Sequence, residues 1–256
     1  MPGQEDKKLH VAAIKSLSMV DEPRKSVAVV YLQGCNYQCE FCHNSSLIPM
    51  PSEGSNRVDL SKLRDVLYEN FLIDGIIFTG GEPTLHPNLL GFVKALSEEY
   101  SFIGIDTNGS NPNYLKKLVP YLSRVSMDIK TSLENYEKIV KKKVNTSIIE
   151  ESIKYLCNSP HESLRVEFRT TYTPPVMDLN DLMAIGELLS DSGFSSGNGN
   201  FYVIQQYMPS KGVLKEHKLK FQSVPVDDLV IIGNNLKEYG IPVAIRCQER
   251  GYFELE

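Results

Sequence analysis

Short apolar runs alternate along the chain with stretches whose apolar residues recur every three to four positions, and turns or polar loops separate them. The runs predict strands at residues 26–32, 75–79, 102–106, 125–129, 164–171, 201–206 and 241–246, with helices at 59–70, 88–99, 113–119, 144–157, 178–192 and 225–239. Several strands are continuous β-branched or aromatic runs, the pattern of strands covered on both faces in a parallel sheet. Asp178 and Asn180 are suited to cap the fifth helix, and Pro112 to stand in the first turn of the third. This rhythm predicts an α/β fold with right-handed crossovers. Residues 11–19 read as a leading strand or hairpin arm, which leaves six full βα units and favours an open, partial barrel over a doubly wound sheet. Strand patterns resume directly after the flexible loop 192–200 and the basic, proline-bounded loop 209–224. One domain over 1–256 is therefore expected, with an N-terminal extension at 1–25 and a C-terminal loop and last strand over 209–256.

Composition narrows the class. Hydrophobic residues make up 41% and charged residues 23%, values of an ordinary globular chain that exclude a disordered or collagen-like polymer. No apolar run approaches the ~18–20 residues of a membrane span. The first eight residues carry no basic segment followed by an apolar one, so a cytoplasmic protein is expected, with no membrane partner. Lys and Arg number 27 against 32 Asp and Glu, a net charge of −5 that gives no global pull toward nucleic acid. Loop 209–224, with Lys211, Lys215, His217, Lys218 and Lys220, reads either as a docking surface for an acidic partner or as a solvated charged loop.

The cysteines carry the chemistry. Cys35, Cys39 and Cys42 fall within eight residues after the strand at 26–32, past a turn at Gly34. Cys157 and Cys247 stand alone and read as buried structural thiols. An odd count without an export signal argues against a disulfide framework. A structural zinc wants four ligands, and the trio supplies three; His43 is adjacent to Cys42, so both could not ligate one ion without strain. The C-x-x-C-H string at 39–43 matches covalent haem attachment, but that needs an exported protein and leaves Cys35 unexplained. An iron–sulfur cube held by three thiolates has one iron with no protein ligand, open to the amine and carboxylate of a substrate.

Cys35-x3-Cys39-x2-Cys42, with an aromatic at Phe41, resembles the signature of the radical S-adenosylmethionine (radical SAM) superfamily, and it follows the first barrel strand as in that family. The strand at 75–79 ends in Gly80-Gly81-Glu82-Pro83, similar to the family's motif for the methionyl amino group. Alone, Asp106-Thr107-Asn108-Gly109 is also a turn, and Asp128 with Lys130 also a strand-end ion pair. In this order, with His43-Asn44 after the third cysteine, they resemble the glycyl-radical-enzyme activating branch. Residues 203–209 and 241–246 look like anaerobic ribonucleoside-triphosphate reductase activating proteins.

The resemblance implies a partial (β/α)6 TIM-like barrel of the radical SAM type. It implies a [4Fe–4S] cluster on Cys35, Cys39 and Cys42, which are both metal ligands and catalytic. It further implies S-adenosylmethionine bound among Phe41, His43, Gly80, Gly81, Glu82, Asp106, Asn108, Asp128 and Lys130, with Phe41 and Tyr37 packing beside the cluster and adenine. The implied partners are a glycyl radical enzyme, most specifically anaerobic ribonucleotide reductase, and a low-potential electron donor such as flavodoxin or ferredoxin. A radical SAM enzyme acting directly on a small molecule or an RNA base is the alternative. Arg169, Thr171 and Gln205 lie on later strands where either face is open to them.

Overall fold

The β-branched runs form strands because branched and aromatic side chains pack well on a pleated surface, and the 3.6-period stretches between them bury one apolar face each. A computed structural model describes residues 8–23, 25–217 and 220–256. Lys218 and the start of the N-terminal extension lie outside the described residues. Two units can be distinguished: Met1–Asn36, Ser46–Thr107 and Asn113–Val125 form the first, and Tyr37–Ser45, Asn108–Pro112 and Ser126–Glu256 the second.

In the first unit the strands are β1 (Lys8–Ser18), β2 (Val27–Leu32), β3 (Arg57–Asp59), β4 (Gly75–Gly80) and β5 (Phe102–Thr107), in the order β3-β1-β2-β4-β5. The arm β1 pairs antiparallel with β2 and β3, whereas β2, β4 and β5 run parallel. Val27, Val29, Ile77 and Phe102 form one buried cluster across the parallel strands. Helix α1 (Leu60–Tyr68) buries Leu63 and Leu67, and α2 (Leu89–Ser97) buries Leu89, Phe92, Val93 and Leu96. Helix α3 (Pro112–Leu118) starts on Pro112, whose missing N–H costs nothing in a first turn.

The second unit holds most of β6 (Arg124–Asp128), then β7 (Arg165–Tyr172), β8 (Phe201–Gln206), β9 (Val243–Cys247) and the closing strand β10 (Gly251–Glu254). β7, β8 and β9 are parallel, and β10 returns antiparallel along β9. The helices are α4 (Tyr136–Val140), α5 (Thr146–Cys157), α6 (Leu179–Asp191) and α7 (Val226–Lys237). Asp178, not Asn180, caps α6. Its carboxylate accepts from the Asp181 N–H, and the Asp181 carboxylate accepts from the Asp178 N–H.

All seven expected strands form, each within two residues of its expected bounds at either end. The elements that periodicity does not reach are β3, β10 and α4, of three, four and five residues, too short to show a repeat. Among the described residues no helix is long and apolar enough to cross a membrane.

Candidate functional site

The first unit contributes the carboxyl ends of β2, β4 and β5, where α/β proteins place their sites. The turn after β2 is pinned from two sides. Gly34 N–H donates to the Leu47 carbonyl at 2.8 Å and Cys35 N–H to that of Ile48 at 3.0 Å, while the Gly34 carbonyl accepts from Glu82 N–H at 2.8 Å. His86, buried, donates from Nε2 to the Gln33 carbonyl at 3.0 Å and braces the same turn. A side chain at Gly81 would not fit, because its Cβ would lie 2.0 Å from the Gly34 carbonyl oxygen. The two strand-end turns thus touch backbone to backbone. Glu82 is fully buried, and its Oε1 accepts from Thr84 N–H (3.0 Å), Thr84 Oγ1 (2.6 Å) and Thr107 Oγ1 (2.7 Å). That oxygen works inside the fold, tying the β4 turn to the end of β5.

Asp106 is held by a residue that sequence reasoning missed. Arg124 donates to Asp106 Oδ1 at 2.6 Å, to Glu22 Oε2 at 3.1 Å and to the Asp21 carbonyl at 3.0 Å. The Arg124 and Glu22 side chains are each only 1% exposed. A signal for Arg124 existed. Arg124, Ser126 and Asp128 alternate along β6, so one face of that strand is polar throughout.

The second unit carries the rest of the cysteine loop. Cys42 N–H donates to the Cys39 carbonyl at 3.1 Å, and Gln38 N–H to the carbonyl of Val140 at the end of α4 at 2.9 Å. Phe41 is buried in a cluster with Ile139, Tyr207, Val213 and Phe221, and Cys39 packs against it. Tyr37, also buried, stands edge-on to Tyr136 with ring centroids 6.2 Å apart. His43 lies 5.6 Å from the Tyr207 ring; burial lowers its pKa against the hydrogen bond it makes to the Met208 backbone. Glu40 points the other way, to Lys220, to Lys141 at 3.6 Å and to His217 at 4.0 Å.

Asp128 and Lys130 are paired at 2.9 Å, and Arg169 Nε reaches the other Asp128 oxygen at 3.0 Å. Burial alone would raise the Asp128 carboxyl, but Arg169 and Lys130 outweigh it and hold the pKa at about 2. Burial likewise opposes the Lys130 charge, and Asp128, with help from Cys39 and Cys42, outweighs it and lifts the ammonium above its ordinary range. Arg169 therefore faces Asp128, and Glu167 on the same face of β7 takes Arg246 at 3.5 Å and Ser126 at 3.4 Å. Thr171 shares that face by alternation and stands opposite Gln205 in register. Asn108 shows the turn chemistry that its sequence context allows, accepting from Ser110 N–H at 3.0 Å.

None of the five cysteines is in a disulfide, and Cys35, Cys39 and Cys42 are half-buried. Burial raises the Cys42 thiol, opposed by the Asn44 N–H and by Lys130, which favour the thiolate. Cys247 is buried as expected; Cys157 is only half-buried, with burial pushing its thiol up to about 12. Among the described residues no three His, Cys, Asp or Glu side chains converge on a point for a single ion.

Residues 29–189 match the Radical SAM superfamily. A protein of Methanocaldococcus jannaschii, provisionally named a glycyl-radical enzyme activating enzyme, is 31% identical over 249 residues, covering 96% of this chain and 98% of the relative. The pyruvate formate-lyase-activating enzyme of Clostridium pasteurianum is 30% identical over 125 residues, 47% of this chain and 52% of that enzyme. In fold, the chain is similar to Streptococcus suis SuiB bound to its precursor peptide, with a TM-score of 0.64 and 14% identity over 87% of this chain and 48% of that one. The α/β class expected from the sequence is that of these relatives. The chain belongs to the radical SAM superfamily, enzymes that work with a [4Fe–4S] cluster and S-adenosylmethionine.

Proposed function

We propose that this enzyme generates a glycyl radical on a partner enzyme, most specifically anaerobic ribonucleotide reductase, and that it works in the cytoplasm. The observation that carries the reading is the end-to-end match, over 96% of the chain, to a relative named for activating glycyl radical enzymes. The donor set fits the cofactors. Three half-buried thiols outside any disulfide lie in one eight-residue stretch of chain. The Gly80–Gly81 turn stands at the carboxyl end of β4, where backbone carbonyls are the groups suited to accept from an amine; the Gly81 and Glu82 N–H groups are spent on the Leu32 and Gly34 carbonyls.

Cys35, Cys39 and Cys42 would hold the cluster. When bound, it supplies the low-potential electron for reductive cleavage of S-adenosylmethionine and so the hydrogen abstraction that follows. Phe41 and its apolar neighbours exclude water beside Cys39. Gly80 and Gly81 would receive the methionyl amino group, with Glu82 bracing the turn from within. Asp106, fixed by Arg124, and Asn108 would take the ribose. Lys130, held charged by Asp128, would meet the methionyl carboxylate, and His43 would border the nucleoside.

The test is electron paramagnetic resonance of the partner after anaerobic incubation with this protein, S-adenosylmethionine and reductant. A persistent organic doublet on the partner that is absent with the Cys39→Ala variant is expected. Turnover of a free small molecule with no doublet on any partner would replace this reading with the small-molecule one.

A further inference from the structure

The chain is acidic overall, yet its cysteine loop is bordered by lysines. The α4 segment and its tail expose Lys138, Lys141, Lys142 and Lys143, and loop 209–224 exposes Lys211, Lys215 and Lys220. These two segments, remote in sequence, meet at one carboxylate: Glu40, next to Cys39, takes Lys141 from the first and Lys220 and His217 from the second. The loop is fastened there at two more points, by Ser45 N–H to the Gly212 carbonyl at 3.3 Å and by the edge-on contact of Phe221 with Phe41 at 6.0 Å. In sequence these segments hold eight lysines, Lys218 included, against the two carboxylates of Glu137 and Glu216, with Glu40 adding a third from the cysteine loop. Lys142, Lys143, Lys211 and Lys215 have no carboxylate partner among the described residues. Met208, immediately before the loop, and Leu214 within it, 38% and 46% exposed, add apolar surface.

We propose that this lysine rim is the docking surface for an acidic, low-potential electron-transfer protein that reduces the cluster. This rests on the cluster reading given above. Charge complementarity selects the occupant. A net positive rim on a net negative protein orients an acidic partner toward one face and speeds encounter more than it adds affinity. The rim contains lysines and no arginine, hence mobile point charges in place of the planar forks that read phosphate and nucleic acid. Phe221, the ring beneath Lys220, is buried and so offers bases no stacking platform. A small, charge-rimmed surface with a little apolar area suits a transient redox encounter. Seated there, a donor stands over Glu40, one residue from Cys39 and two from Cys42.

The experiment is stopped-flow reduction of the anaerobically reconstituted protein by a reduced acidic flavodoxin, for wild type and Lys142→Glu/Lys143→Glu, at salt from ~0.05 M to ~0.3 M. Neither lysine touches Glu40, so the loop anchor is kept. The variant should be reduced about tenfold more slowly at low salt, with a flattened salt dependence, while dithionite reduces both proteins alike. Equal rates with the flavodoxin at both salts would overturn the proposal, and so would a fall in affinity confined to the glycyl radical enzyme. If dithionite bleaches no cluster in the wild type, it is the cluster reading that fails. Flavodoxin affinity by flavin fluorescence anisotropy then decides the surface, a tenfold loss in the variant supporting it and no loss overturning it.

Discussion

Replacing Arg124 with methionine should destabilise the protein by about 3–5 kcal/mol, the range for stranding buried carboxylates. The structure sets this magnitude. Arg124 is the common partner of Glu22 and Asp106, at 3.1 and 2.6 Å, and Arg124 and Glu22 are both out of water. At an effective dielectric of ~20, an ion pair with charges ~4 Å apart gains about 4 kcal/mol. Desolvation offsets most of that, so the intact network is worth little net. Removing the cation alone leaves the desolvation cost of these carboxylates without the Arg124 charge against it. Urea unfolding of the anaerobically purified protein at neutral pH reads the difference. The double variant Glu22→Gln/Arg124→Met, which strands only Asp106, should recover part of the loss. S-adenosylmethionine affinity should also fall in the single variant, because Asp106 loses its tether. A single-variant loss below ~1 kcal/mol would show that the triad is solvated like a surface pair and refute the reasoning.

Gly81→Ala should lower both iron content and S-adenosylmethionine affinity several-fold, since the new Cβ would lie 2.0 Å from the Gly34 carbonyl oxygen and must push the Cys35 turn away; iron analysis and equilibrium dialysis at wild-type values would contradict it. Asp181→Asn should cost about 1.5–3 kcal/mol near neutral pH, the value of hydrogen bonds made to a charged group. The Asp181 carboxyl is pulled below its ordinary pKa: burial raises it, but Ser132, Asn135 and the Asp178 N–H, which all donate to it, win. Its stabilisation is therefore complete above the unfolded carboxyl pKa and is lost as pH falls through the lower folded value. The gap between wild type and variant should close in acid, and a gap that held constant with pH would exclude this origin.

The sequence made the repeating βα units legible because parallel strands are apolar on both faces and therefore stand out as unbroken runs. The strand-end motifs were legible for a related reason: Gly80 and Gly81 mark places where backbone meets backbone, and Gly34 turns at a φ of +104° that favours glycine. What stayed hidden depends on partners distant in sequence. Arg124 meets Glu22 across 102 residues, and Glu40 meets Lys220 across 180. A lone charge in a strand or loop looks the same whether it is solvated or paired, and only tertiary structure decides. Loop 209–224 illustrates this. In sequence it reads as a docking surface or as a solvated charged loop, and neither reading reveals that Val213 and Phe221 are buried with Phe41 and that one lysine is bonded to the cysteine loop. Asn108 and Glu82 show the converse, where a residue chosen for a ligand also holds the turn that presents it.

The proposed chemistry needs a cube of iron and sulfur with one iron left for S-adenosylmethionine. Electron paramagnetic resonance of the reduced, oxygen-free protein, recorded with and without S-adenosylmethionine, tests this most directly. A reduced [4Fe–4S] signal whose g-values shift on addition of the nucleotide is the predicted result. A cluster signal that the nucleotide leaves unchanged would contradict it.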